Sequence, residues 1–178
     1  MKQITAYSFS ELSPQARKKA LDQIETDVLY DHDDLLQEMT RELEEMGLMD
    51  VDIQYSGFWS QGDGLSFTGH VAFPETFCKQ ADVPCLSGIE IGFVRHSTRY
   101  SHENTCTTRI DFIQAPESRE QQEQVNLLAE SLEIWRIDQC RSMYKRLEQE
   151  YEACTSEKAM IEFIEANDYH FLEDGRLV

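Results

Sequence analysis

The spacing of apolar residues changes twice along the chain, and it predicts helices at both ends with strands between them. In the first fifty residues, apolar side chains recur at intervals of three and four, the period of an amphipathic helix. Ser13 and Pro14 mark a helix start, because the serine hydroxyl can cap the first turn and proline tolerates the first helical position. Gly47 is placed to end a second helix. The two apolar stripes are Ala16, Ala20, Ile24 and Val28, then Leu36, Met39, Leu43 and Met46.

Between Asp50 and Phe112 the period falls to two, which is typical of half-buried strands. The alternating segments are residues 50–55, 65–73, 89–93 and 106–112. Because strands that follow one another directly favour hairpin connections, these segments predict a four-stranded antiparallel meander. The linker of residues 74–88 contains two prolines and is predicted to be a loop or a short helical turn.

The helical period returns beyond Pro116. Apolar residues at three- and four-residue spacing predict one helix from about Glu117 to Cys154. Because the usual helix has only about 11–12 residues, we expect a kink or a protruding end. A shorter helix follows, capped by Thr155 or Ser156, and the chain end is predicted to form a small hairpin.

The fold class that follows from this order is α+β. We predict a four-stranded antiparallel meander flanked by two N-terminal and two C-terminal helices, one of them long. A chain of 178 residues is most simply one domain. Within it we distinguish an acidic helical part (1–50), the sheet (51–114), and the C-terminal helices with the small hairpin (115–178).

The charge of the chain is strongly negative, with 34 acidic against 16 basic residues and a formal net charge of −18. Such a field repels phosphates over about 8 Å in physiological salt, so it disfavours direct nucleic-acid or membrane binding and favours a basic partner. Twelve carboxylates lie between residues 22 and 52, where they could mimic the phosphates of DNA or simply keep the surface hydrated. The predicted acidic docking face is Asp31, Asp34, Glu38, Glu42 and Glu45.

The cysteines indicate a reducing compartment. There are five, scattered along a chain without the apolar core of a signal peptide or a run of about 18 apolar residues. We therefore expect reduced thiols and a cytoplasmic location. Cys78 and Cys85 could bind zinc with His70 or His96, but their spacing is outside the usual knuckle. We predict no metal and no cofactor.

The stretch "SGFWSQGDGLSF" follows the first strand and has two interpretations. Exposed Phe58 and Trp59 could form a platform for a planar ligand, with polar contacts from Gln61 and Asp63. Alternatively, it is a hairpin loop whose glycines allow positive φ while the two aromatics plug the end of the sheet. It contains no phosphate-binding motif.

The stretch "RHSTRYSHENT" joins the third and fourth strands and concentrates cationic and titratable groups in an acidic chain. His96 and His102 could bind a metal or act as an acid–base pair. Arg95 and Arg99 could hold a phosphate or a carboxylate. The alternative is a solvated loop whose histidines make local hydrogen bonds.

Several segments resemble a family of small phage and prophage proteins, some of them labelled antitoxin of a toxin–antitoxin stability system. The resemblance runs from about Phe9 to Leu177, with a linker shorter than the helical insert of many members. It rests on "FSELSPQARKKA", "SGFWSQGDGLSFTG", "RHSTRYSHENT" and "MYKRLEQEYEACTSEKAMIEFIEANDYHFLEDGRLV". The recurrent positions of the family match Gly57, Phe58, Trp59, Ser60, Gln61, Gly62, Asp63 and Gly64, then His96, Tyr100 and His102.

Alternate loops of a meander can gather at one edge of the sheet, and the resemblance retains both loops together. We therefore predict a shared ligand or partner cleft. Its residues are Phe58, Trp59, Gln61, Asp63, Arg95, His96, Arg99, Tyr100, His102 and Glu103.

The resemblance, together with the charge, implies an accessory protein that binds and neutralises a host defence or toxin component. The partner would be a host protein with a basic surface, and the long helix could also pair with a second copy of the chain. The alternative is a nucleotide-like ligand in the cleft, with Trp59 stacked on a ring and Asp63 and His102 handling protons. The sequence favours a role without catalysis.

Overall fold

The computed structural model describes residues 5–24, 30–97, 99–113, 115–116 and 118–178. These residues form an α+β fold with a four-stranded antiparallel sheet, which confirms the predicted fold class. The strands are β1 (Tyr7–Ser8), β2 (Leu48–Tyr55), β3 (Leu65–Val71), β4 (Ile89–Arg95), β5 (Cys106–Phe112) and β6 (His170–Phe171). The α-helices are α1 (Pro14–Leu21), α2 (Asp33–Glu45), α3 (Pro74–Gln80), α4 (Arg119–Cys154) and α5 (Glu157–Ala166). Short 3-10 helices span Phe9–Glu11 and Glu103–Thr105.

The chain divides into two compact units, Met1–His32 with Glu148–Val178, and Asp33–Leu147. The predicted single domain stays a prediction.

The first unit has its own small core. Ser13 caps α1 by accepting from the Ala16 N–H at 3.3 Å, and Ser156 caps α5 in the same way. The terminal strand β6 pairs with β1, and the chain end also folds back on β6 as the predicted small hairpin, with an antiparallel bridge between Phe171 and Leu177 and a bond from the Leu172 N–H to the Arg176 carbonyl at 2.7 Å. The predicted stripe position Val28 lies outside the described residues. The buried residues are Phe9, Leu12, Ala16, Ala20, Ile164 and Phe171.

The second unit contains the sheet, whose strand order β2-β3-β4-β5 is that of a meander. Gly47 adopts φ +98 directly after α2, as expected of a helix-ending glycine. Strand β2 begins at Leu48, two residues before the alternation predicted it, and pairs with β3 through an irregularity between Met49 and Asp52. Strand β2 is at the edge of the sheet, and the first loop follows it directly.

An aromatic cluster packs one face of the sheet. Trp135 of α4 contacts Phe67, Phe77 and Phe93, with ring centroids 6.0, 5.0 and 5.5 Å away. Phe77 comes from α3, the linker segment for which the sequence predicted only a loop or a short helical turn. The helix forms because Pro74 suits its first turn and because it buries Phe77.

The long helix α4 runs over 36 residues. It begins two residues after the predicted start and ends at the predicted Cys154. In the described part of the chain, no helix is both long enough and apolar enough to cross a membrane.

Candidate binding surface

The loop between β2 and β3 and the loop between β4 and β5 touch each other at one end of the sheet. A side chain built at Gly62 would lie 3.5 Å from the Tyr100 ring. The Ser56 hydroxyl lies 3.2 Å from the Ser101 carbonyl, to which it can donate. The described residues of 56–64 and 95–105 therefore form one surface, the two-loop surface. The structure brings together the two stretches from which the cleft was predicted.

Gly64 fixes how closely the loops approach. A Cβ at this position would lie 2.5 Å from the Cβ of His102 and 2.9 Å from its Cα. No side chain fits at such a distance, so glycine is required here by contact.

The first loop carries backbone strain at its tryptophan. Trp59 adopts φ +71, a left-handed conformation that costs a non-glycine residue about 1–2 kcal/mol. The Asp63 carboxylate accepts from the Ser60 N–H at 2.7 Å, and the Tyr144 hydroxyl donates to the Gly57 carbonyl at 3.0 Å. These bonds hold the loop on either side of the strained residue.

The two adjacent aromatics of this loop have different environments. Phe58 packs between Tyr55 and Tyr144, with ring centroids 5.6 and 5.7 Å away, and borders the core. Trp59 keeps 65% of its surface exposed. Phe58 thus fits the interpretation as a plug, whereas Trp59 fits the interpretation as a platform.

The second loop adds an exposed aromatic and an exposed cation. Tyr100 is 41% exposed, and the Arg99 guanidinium lies 5.2 Å from the centre of its ring. Gln61 and His96 are exposed as well. The surface therefore presents a tryptophan, a tyrosine and an arginine to solvent.

Other predicted members of the cleft are engaged in holding the fold. Arg95 donates to the Ser66 hydroxyl at 3.1 Å and to the Asp52 carboxylate at 3.0 Å, and so joins three strands. His102 accepts from the Asn104 N–H through Nδ1 at 3.1 Å and caps the second 3-10 helix.

Glu103, the remaining predicted member, pairs with Arg141 of α4 at 3.3 Å. The Glu103 carbonyl also accepts from Arg136, which is only 1% exposed. The second loop is therefore tied to α4 by two arginines.

The buried Arg136 is the centre of a polar cluster that the sequence did not predict. Its guanidinium bonds to Glu133 and lies 3.1 Å from the Cys106 sulfur. The Glu133 carboxylate in turn accepts from the Thr108 hydroxyl at 3.0 Å. The neighbouring Cys140 thiol, together with Arg136, lowers the pKa of Cys106 to about 6. The available signal was an arginine four residues from both Leu132 and Cys140 in the apolar stripe of α4.

The acidic face is exposed but partly neutralised. Arg146 of α4 bridges Glu38 at 3.1 Å and Glu42 at 2.6 Å, and these carboxylates raise the pKa of its guanidinium. Asp34 and Glu45 are exposed on α2, the helix that also carries Glu38 and Glu42. Asp31 is exposed in the other unit.

Across the described segments, no group of three or more histidine, cysteine, aspartate or glutamate side chains could hold a metal ion. Among the side chains predicted to handle protons at the two-loop surface, the Asp63 carboxylate and His102 Nδ1 accept backbone N–H groups, and His96 is exposed.

One family model, described as a domain of unknown function (DUF8835), matches residues 25–90. The match includes the first loop with Trp59 and stops before the second loop. No curated protein matches the chain. No solved structure matches it.

Proposed function

We propose that this chain is a binding protein that captures another protein through the two-loop surface. The observation that carries the proposal is the exposed Trp59, held in a strained backbone conformation by two loops that lock onto each other. Strain of about 1–3 kcal/mol at a solvent-facing residue is typical of ligand clamps and other functional sites.

The chemistry of the exposed side chains favours a protein partner. Tryptophan, tyrosine and arginine are the residues that most often dominate the binding energy of protein interfaces. Here Trp59, Tyr100 and Arg99 are exposed on one surface built from two loops. The ring of Phe58 lies 6.1 Å from that of Trp59 and packs on Tyr144, and this support limits the entropy that the indole loses on binding.

The charge of the chain favours a partner with a basic surface. A net charge of −18 accelerates the encounter with a positively charged protein, although aromatic contacts would supply most of the affinity. The resemblance to phage and prophage proteins extends the proposal: the partner would be a host defence or toxin component in the cytoplasm. The five free cysteines are compatible with a reducing compartment.

A nucleotide-like ligand is the second candidate, because Trp59 could stack on a base and Arg99 could bind a phosphate. The engagement of Arg95 with Asp52 and Ser66 removes one of the two arginines that would hold the anion. The two-loop surface therefore supports a protein partner better than a nucleotide.

The test is affinity capture from host lysate with three variants of the chain. We expect the wild type and Phe73→Ala to retain the same protein, and the double variant Trp59→Ala, Tyr100→Ala to lose it. Phe73 is the matched control, because it is an aromatic residue with 70% exposure outside the two loops. Retention of every captured protein by the double variant would contradict the proposal.

Nucleotide binding is tested in parallel by tryptophan fluorescence. Adenosine and guanosine triphosphates are added to the wild type and to Trp59→Phe, in which only the buried Trp135 remains. We expect no quenching in either protein. Saturable quenching that is lost in Trp59→Phe would assign the surface to the nucleotide instead.

A further inference from the structure

The helix α3 ends in a turn that folds the chain back on itself. Asp82 adopts φ +54, and the Val83 N–H donates to the Cys78 carbonyl at 3.0 Å. A residue in the left-handed conformation, followed by an N–H that donates to the carbonyl five residues earlier, forms a Schellman motif. This motif reverses the direction of the chain. The reversal returns Cys85 to the side of Cys78.

Cys78 and Cys85 lie on either side of this turn, and the Cys85 thiol is close enough to raise the pKa of the Cys78 thiol, but the two residues differ in exposure. Cys78 is buried in the core, whereas Cys85 is exposed, and neither forms a disulfide. We propose that Cys78 and Cys85 form a redox site, in which a hydroperoxide oxidises Cys85 and Cys78 then closes an intramolecular disulfide.

The reaction balances in two steps. The Cys85 sulfur attacks the peroxide, so that an S–O bond forms, the O–O bond breaks and water leaves (an alcohol when the oxidant is an organic hydroperoxide). The Cys78 sulfur then attacks the Cys85 sulfenic acid, the S–S bond forms, the S–O bond breaks and a second water carries away the proton. Overall, two thiols lose two electrons and two protons to the hydroperoxide.

The environments of the two thiols set the order of these steps. Burial, together with the neighbouring Cys85 thiol, raises the pKa of Cys78 to about 12. Cys78 therefore remains a protonated thiol that peroxide in solution does not reach. Cys85 meets the oxidant first, and Cys78 reacts only when the sulfur beside it has become electrophilic.

A second pair of cysteines provides an internal comparison. The thiols of Cys106 and Cys140 also shift each other's pKa, and Arg136 favours the thiolate of Cys106. Both are buried, so an oxidant lacks access to either sulfur. Cys154 is the remaining cysteine and is partly exposed. Exposure, rather than pairing alone, distinguishes the Cys78–Cys85 site.

The sequence allows a direct assay, because Lys79 lies between the two cysteines. The reduced full-length chain is treated with hydrogen peroxide, remaining thiols are alkylated, and the product is digested with trypsin without reduction. We expect a disulfide that joins the peptide ending at Lys79 to the peptide of residues 80–95, each of which carries one cysteine. We also expect Cys85 to lose alkylation about tenfold faster than Cys106 or Cys140, because only exposed thiols meet the oxidant.

Three variants separate this reaction from general oxidation. Cys154→Ser should leave the joined peptides unchanged, and Cys85→Ser should abolish them while Cys78 stays fully alkylatable. Cys78→Ser should leave Cys85 as a sulfenic acid that dimedone traps; if this variant does not fold, dimedone trapping at Cys85 in the wild type at short times replaces it. The proposal is overturned if the joined peptides do not form while Cys154 is oxidised, if Cys106 and Cys140 couple first, or if Cys85 links two chains.

Discussion

The two-loop surface and the acidic face of α2 are both exposed, yet the fold treats them differently. On α2, Arg146 bridges Glu38 and Glu42, so intramolecular ion pairs engage part of the charge. On the two-loop surface, hydrogen bonds within the first loop hold Trp59 in a strained backbone conformation while its side chain stays exposed to solvent. One region reduces its charge within the molecule, and the other keeps an apolar side chain exposed.

This difference indicates which surface is specialised for binding. Exposed carboxylates hydrate a surface and steer a partner at little energetic cost, and they are common on soluble proteins. A large exposed aromatic residue in a strained conformation lowers stability unless something binds it. We therefore assign direct contact with the partner protein to the two loops, and long-range attraction of that partner to the acidic residues.

The largest expected effect is on affinity for the captured partner. Trp59→Ala should weaken binding by at least about 2 kcal/mol, or about 30-fold, because a central tryptophan is a typical hot spot. Isothermal titration calorimetry measures the change, with Phe73→Ala as the control. Equal affinities of the two variants would remove the distinction between the loops and the rest of the surface.

The contact between the loops is tested by Gly64→Ala. The added Cβ would lie 2.5 Å from the Cβ of His102, and we expect the overpacking to lower the free energy of unfolding by about 1–3 kcal/mol. Urea unfolding measures the loss. Gly92→Ala is the control, since the nearest atom to its Cβ is 3.8 Å away. If the two variants are equally stable, the loops are not locked together as described.

The strain at Trp59 is tested by comparing two replacements of the same indole. Both Trp59→Gly and Trp59→Ala remove the ring, but only glycine adopts φ +71 without penalty. We expect Trp59→Gly to be more stable than Trp59→Ala by about 1 kcal/mol in thermal unfolding. The reverse order would show that the loop carries no strain at this residue.

The smallest expected effect belongs to the acidic face. Glu38→Gln combined with Glu42→Gln should change the free energy of unfolding by less than about 1 kcal/mol, because exposed ion pairs contribute little. The same variant should slow association with the partner at low salt and leave dissociation unchanged. Arg146→Gln removes the same pairs from the other side and should match its stability. A large rise in the dissociation rate would place the contact on α2 instead.

The parts of the fold that depend on neighbouring residues could be predicted from the sequence. The caps at Ser13 and Ser156 and the helix end at Gly47 are local features, and the structure contains all three. The sequence predicted helix α3 less clearly, because the helix is stabilised by contacts of Phe77 with Trp135 and Phe93, which are distant in the chain.

The candidate site was predictable as a place but not as a set of working side chains. Meander topology correctly indicated that the two loops meet. The engagement of Arg95 with Ser66 spans 29 residues and that of Arg146 with Glu38 spans 108, so no local pattern reveals either. The burial of Arg136 likewise depends on the carbonyl of Glu103 and the sulfur of Cys106.

The most direct measurement of the central claim is fluorine NMR of the chain labelled with 5-fluorotryptophan. The chain contains only Trp59 and Trp135, so two resonances are expected, and Trp59→Phe assigns them. On addition of the captured partner, the Trp59 resonance should shift or broaden while that of the buried Trp135 stays in place. If the partner binds and the Trp59 resonance does not change, the two-loop surface is not the contact.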